Sequence, residues 1–187
     1  YYGTMPWLAI PSGDPRKETL SRMFDVEGIP TFVLIDAETG KTINANGRGA
    51  VGADPEGADY PWAPKPVNDL SSPDGINDTT ALCALVDGCD ADAKAAAKAV
   101  LTPIAEASKA AGTELLFFVA TSGDGAVPQV RKLTGVGAAT ATAQMILLDI
   151  PDDGGFYVAP DGPITAESVT SFLDKYKEGG LERKQLG

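Results

Sequence analysis

The 187 residues include no histidine and only two cysteines, Cys83 and Cys89. Without an imidazole there is no Ser-His-Asp hydrolase, no Cys-His protease and no histidine-ligated zinc centre. Two cysteines cannot staple a secreted domain of this size, which implies a reducing compartment, the cytoplasm with the nucleus as an alternative. Positive charge is scarce as well. Fifteen Lys+Arg stand against 26 Asp+Glu, a net charge of −11. Such a chain repels nucleic acid and anionic membrane surfaces, so neither is expected as a partner. No apolar run reaches the roughly 18 residues that would span a bilayer. What is present, 43% apolar and 22% charged residues, is the composition of a folded, acidic globular protein. The chain opens Tyr1-Tyr2-Gly3-Thr4-Met5, with no initiator methionine and no signal or transit pattern, and reads as part of a longer protein.

Met5-Pro6-Trp7-Leu8-Ala9-Ile10-Pro11 is a short apolar run between prolines and predicts a buried strand. Asp14 and Pro15 then open a helix on which Leu20, Met23, Phe24 and Glu27 recur at helical spacing, and Gly28 ends it. Thr31–Ile35 predicts a strand, the segment 36–40 a hairpin turn, and Lys41–Asn46 a returning strand. Between Gly47 and Asp78, glycines, prolines and acidic residues have the composition of a connector. A domain boundary is expected near Ala63–Pro66, giving domains 1–63 and 64–187.

The second stretch carries a full set of elements. Thr80–Val86 predicts a strand buried on both faces. Asp90 or Asp92 caps a long helix with Ala93, Ala97, Val100, Leu101, Ile104 and Ala105 on one face, Pro103 inside it and Gly112 at its end. A strand over Glu114–Ala120, a helix over Pro128–Leu133, a strand over Ala143–Ile150, a short strand Phe156–Val158 and a helix capped by Thr165 follow. The order is βαβαββα. The two stretches also repeat. Leu20 and Val26 lie as far apart as Val130 and Val136, at an offset of 110, and Asp36 matches Asp149 at an offset of 113. The first stretch is thus expected to be an incomplete copy of the second.

Strand, long proline-bearing helix, strand, helix, hairpin and terminal helix is an α/β layout that resembles thioredoxin. Gly28-Ile29-Pro30-Thr31 resembles the loop before the third core strand of that fold, where a cis-proline sits. Together with Met5–Ala9, Arg16-Lys17, Pro61-Trp62, Pro64-Lys65-Pro66, Pro103–Glu106 and Leu115–Ala120, it is similar to the tryparedoxin and nucleoredoxin branch of the thioredoxin-like superfamily. The resemblance covers essentially the whole chain. It implies the back half of a catalytic thioredoxin-like domain followed by a complete, redox-inactive one. It further implies protein-disulfide reductase activity with no separate cofactor, protein disulfides or other proteins as partners, and a Cys-x-x-Cys pair upstream of Tyr1. Ile29 and Pro30 would then be substrate-binding, Ile29 through its backbone and Pro30 through its ring. Read without the resemblance, Pro30 shapes the turn into a strand.

Counting back from Pro103 by the thioredoxin spacing gives Ala95-Ala96-Ala97-Lys98, and the cis-proline slot of the second domain holds Ala143. No catalytic residue is therefore expected in this chain. Cys83 lies mid-strand and reads as a small buried hydrophobe. Cys89, the one remaining redox candidate, lies among Asp87, Asp90 and Asp92, whose charges disfavour a thiolate. That acidic stretch lacks the glycine and terminal glutamate of an EF-hand, so no metal site is expected. Thr121-Ser122-Gly123-Asp124-Gly125-Ala126 lacks the lysine of a phosphate-binding loop. The alternative to an oxidoreductase fragment is a non-catalytic interaction or structural module of a larger assembly.

Overall fold

Thr31-Phe32-Val33-Leu34-Ile35 is apolar or β-branched throughout, yet only its last two residues pair as a strand. The computed structural model describes residues 2–187, which divide into two units, Tyr1–Pro64 and Lys65–Gly187. In the first unit, α1 (Arg16–Met23) leads to β1 (Leu34–Ile35), which pairs antiparallel with β2 (Thr42–Asn44). Asp36 makes the turn between them. Its Oδ1 accepts from the N–H groups of Glu38 and Thr39, and its own N–H donates to the Lys41 carbonyl at 2.8 Å.

Three expectations are corrected in this unit. Met5–Ile10 is not a strand: no ladder partner lies beside it among the described residues, and Trp7, Leu8 and Ile10 are exposed. Pro15 rather than Asp14 occupies the N-cap position of α1, although the Asp14 carboxylate still accepts from the Arg16 N–H at 2.9 Å. The supposed connector begins with a helix, α2 (Gly47–Ala53), whose three glycines hid it from a propensity reading. Asn46 starts it by accepting from the Gly49 N–H at 3.2 Å. Gly47 is favoured there because a β-carbon would lie 2.8 Å from the Phe32 carbonyl oxygen, besides crowding the Phe32 ring and a Leu34 methyl.

The second unit is built on a six-stranded sheet. Its strands are β3 (Asn68–Asp69), β4 (Ala81–Leu85), β5 (Leu116–Ala120), β6 (Gln144–Asp149), β7 (Gly155–Val158) and β8 (Lys184–Gln185). They lie in the order β3-β5-β4-β6-β7-β8. β4 runs parallel to β5 and antiparallel to β6, and β6, β7 and β8 continue antiparallel. The helices are α3 (Ala91–Ala110), α4 (Val127–Thr134) and α5 (Ala166–Lys177). The edge strands β3 and β8 were not legible in the sequence: two residues give no period, and neighbours far along the chain hold them. Asn68 pairs with Phe118, and Lys184 with Phe156. The connector reading therefore ends early, because Val67 and Leu70 are already core residues.

Alternation along the central strands divides the core in two. Leu82, Ala84, Val86, Phe117, Val119, Met145 and Leu147 face α3 and α5. Cys83, Leu85, Phe118, Ile146 and Leu148 face the other way, toward Val127 and Val130 of α4 with Leu70 and Ile76. Asp90 caps α3 by accepting from the Ala93 N–H at 2.8 Å, and Ala97, Leu101 and Ala105 form its buried stripe. The helix continues through Pro103, which leaves the Ala99 carbonyl without its helical donor. Thr165 caps α5 in a reciprocal pair with Ser168.

Phe118→Ala, which removes a ring buried at the middle of β5, should destabilise the second unit by about 3–5 kcal/mol. Urea unfolding followed by circular dichroism measures it, and Phe32→Ala, at a half-exposed ring of the first unit, should leave that transition in place.

Candidate functional site

The loop before β1 has few ways to hide its own residues. Glycine, proline and a one-turn gap after α1 leave Gly28-Ile29-Pro30-Thr31 on the surface, and Ile29 is 97% exposed. The Ile29–Pro30 peptide bond is cis. Two hydrogen bonds hold the loop. The Thr31 hydroxyl donates to the Gly28 carbonyl at 2.6 Å, and the Arg48 guanidinium of α2 donates to the Pro30 carbonyl at 3.3 Å. The Gly47 N–H donates to the Phe32 carbonyl at 2.9 Å and draws α2 against the same segment. Among the described residues, neither the N–H nor the carbonyl of Ile29 is taken up by another group. An exposed apolar side chain and an unpaired peptide unit thus sit together on a loop anchored from both sides. Arg48 escaped the sequence reading, since its contact depends on the glycine-rich helix α2.

The apolar surface of the first unit extends beyond this loop. Leu8, Met23, Ile29, Phe32 and Ile35 are among its exposed large side chains, whereas the large apolar side chains of the second unit are at least half buried. The end of the unit is tied by Asp54. Its carboxylate accepts from the N–H groups of Ala58 and Asp59 and from the Trp62 indole at 2.9 Å. The backbone donors first, then the indole, hold this carboxyl below the usual range. Trp62 packs edge-on against Tyr60 and donates nothing to the Ile29 loop.

In the second unit, the structure places the two segments that the resemblance matched to a thioredoxin-like site as follows. Ala95–Lys98 begins a full turn inside α3, and Ala143 precedes β6. Cys83 is fully buried, and burial pushes its thiol far up. Cys89 is 8% exposed. Its thiol donates to the Ala141 carbonyl at 3.5 Å, and burial, then Asp90 and Asp87, raise its pKa. Gly88 allows this closure: a β-carbon there would lie 2.4 Å from the Thr140 carbonyl oxygen. The two cysteines are unbridged.

A buried ion pair holds the loop above Cys89. Arg131 Nε donates to Asp87 at 3.0 Å, and Nη1 donates to the Gly137 carbonyl and to Gln144 at 3.1 and 2.9 Å. Both charged side chains are at least nine-tenths buried. The signal for it was present: Val127, Val130, Arg131 and Thr134 recur at helical spacing, so Arg131 lies on the inward stripe of α4.

No family model matches the chain. Nucleoredoxin of Xenopus laevis is 33% identical to it over 185 residues, 94% of this chain and 44% of that protein. Nucleoredoxin of Homo sapiens is 38% identical over 133 residues, 66% of this chain and 30% of its own length. Tryparedoxin of Trypanosoma brucei brucei is 48% identical over 64 residues, 33% of this chain and 44% of that protein. The chain spans less than half the length of these curated relatives.

Two measurements follow from this geometry. Arg131→Met strands the Asp87 charge and should cost about 3–5 kcal/mol. Native Cys89, slow to react with Ellman's reagent, should label roughly tenfold faster in that variant. The Asp54 latch has the opposite pH behaviour to a raised group. Its lowered folded-state pKa makes its contribution complete above the unfolded value of about 3.9, and acid removes it as pH falls through the lower folded value. Trp62 fluorescence read in a Trp7→Phe background should shift below about pH 4, and Asp54→Asn should show the shifted spectrum at neutral pH.

Proposed function

Because this chain is related to the nucleoredoxins and tryparedoxin, in a thioredoxin-like oxidoreductase family, we propose that it is the latter part of a protein-disulfide reductase whose catalytic dithiol lies upstream of Tyr1. The observation that carries this reading is the Ile29 peptide unit, exposed, unpaired and fixed by Thr31 and Arg48. An extended substrate strand can add to it by main-chain hydrogen bonds, while Pro30 lies against the sulfurs under exchange. In the reaction, a thiolate of the upstream pair attacks one substrate sulfur and the other leaves as a thiolate that takes a proton. The second cysteine, as a thiolate, then attacks the sulfur of the first and displaces the substrate sulfur still bound to it, which leaves as a thiolate and takes a proton, so two electrons pass from dithiol to substrate. No residue of this chain is a catalytic residue in that scheme.

The exposed apolar side chains of the first unit support the same reading. Trp7, Leu8, Met23, Phe32 and Ile35 would be covered by the opening strand and helix of a thioredoxin-like domain. The second unit accompanies the catalytic domain without redox chemistry of its own. Ala95–Lys98 and Ala143 offer no nucleophile and no proline, and Cys89 is closed under the Thr140–Ala141 backbone. Its role in this proposal is to bind protein partners in the cytoplasm.

The test is insulin reduction with dithiothreitol as electron donor. The 187-residue chain should show no turnover above background, and the longer natural protein should show turnover that is lost when its upstream cysteines become serine. Turnover by the short chain that disappears on Cys89→Ser would overturn the assignment.

A further inference from the structure

The second unit carries a groove along one side of α5 that plays no part in the redox reading. Its volume is about 660 Å³, within the span of sites that hold small ligands and peptide segments. Met145, Ala159 and Phe172 form a buried apolar floor, and Ile164 and Leu181 are half-buried at its sides. The outer wall is the loop Ala159–Ile164. Pro160 and Pro163 stiffen it, and the N–H groups of Ala159 and Gly162 tie it to the carbonyls of Met145 and Ala143 at 2.9 and 3.3 Å. The groove is preformed.

Its charges are segregated by end. Glu167 lies in the first turn of α5, Asp161 on the loop that leads into it, and Lys175 two turns farther along the helix. Glu167 and Lys175 are eight residues apart, about 12 Å along the helix axis. None of the three side chains makes an ion pair among the described residues, because the pairing on α5 is between Asp174 and Lys177 at 3.9 Å. The distance of about 12 Å from Glu167 to Lys175 is covered by roughly four extended steps, the reach from one end of a five-residue segment to the other. A segment laid along α5 in extended form therefore reaches both charged ends of the groove within five residues.

We propose that this groove binds an extended segment of a partner protein with an apolar residue at its centre, a basic residue at one end and an acidic residue at the other. The apolar side chain meets Met145, Ala159 and Phe172, the basic end meets Asp161 and Glu167, and the acidic end meets Lys175. This site is independent of the Ile29 loop and of any dithiol.

The whole chain, labelled with nitrogen-15, is titrated with the capped peptide Lys-Thr-Leu-Thr-Glu. Saturable shifts are expected at the amides of Met145, Ala159, Ile164 and Leu181. Lys175→Glu, an exposed substitution, should weaken the peptide about fivefold, the upper range for one rim charge pair, and should strengthen Lys-Thr-Leu-Thr-Lys by a similar factor. Ser171→Trp, which fills the groove from an exposed position, should abolish the shifts while the rest of the spectrum stays native. The absence of saturable shifts, shifts confined to other residues, or binding indifferent to the Lys175 reversal would each overturn the proposal.

Discussion

Strand β4 has no solvent side. All five of its residues are buried, and their side chains alternate between two separate apolar clusters. That requirement sets the second unit. A strand apolar on both faces must be covered twice, so α3 and α5 close one face while α4 closes the other with Leu70 and Ile76. The caps at Asp90 and Thr165 position these helices, and the hydrogen-bonded group Thr80, Asp149 and Tyr176 fastens α5 to the end of β6 at 3.0 and 2.6 Å. Burial beside the Asp149 charge raises the Tyr176 hydroxyl to about 12, so it stays a donor at neutral pH.

The first unit shows what the same design looks like without that double cover. The order α1–β1–β2 reproduces α4–β6–β7, yet Leu34 is the one large side chain of its described core that is buried. The remaining apolar side chains face outward or are half covered. The loop at Ile29 keeps its shape all the same, because its fixed points are hydrogen bonds from Thr31 and Arg48 rather than packing.

A buried ion pair organises the loops around Cys89 in the second unit. Asp87 lies two residues beyond β4, Arg131 reaches it from α4, and the same guanidinium holds Gly137 and Gln144. A desolvated pair of this kind is costly to form and more costly to break. Its effect here is to close the segment ending at Thr142 over Gly88 and Cys89. The cysteine is thereby a buried donor to a carbonyl instead of a nucleophile.

Order and capping were legible from residue pattern alone. The run Ala81–Leu85, the stripe Ala97-Leu101-Ala105 and the signals Asp90 and Thr165 depend on neighbours a few residues away, and such interactions show up as period and cap. The two-residue strands β3 and β8, the glycine-rich helix α2 and the exposure of Met5–Ile10 were not legible. Thr80 meets Asp149 across 69 residues, Arg131 meets Asp87 across 44, and Cys89 meets Ala141 across 52. No local period encodes contacts at those separations. The sequence by itself determined the order of the long helices and strands of the second unit, whose periods and caps are local. Only the tertiary structure decided which side chains are covered, because burial depends on what the rest of the chain brings alongside.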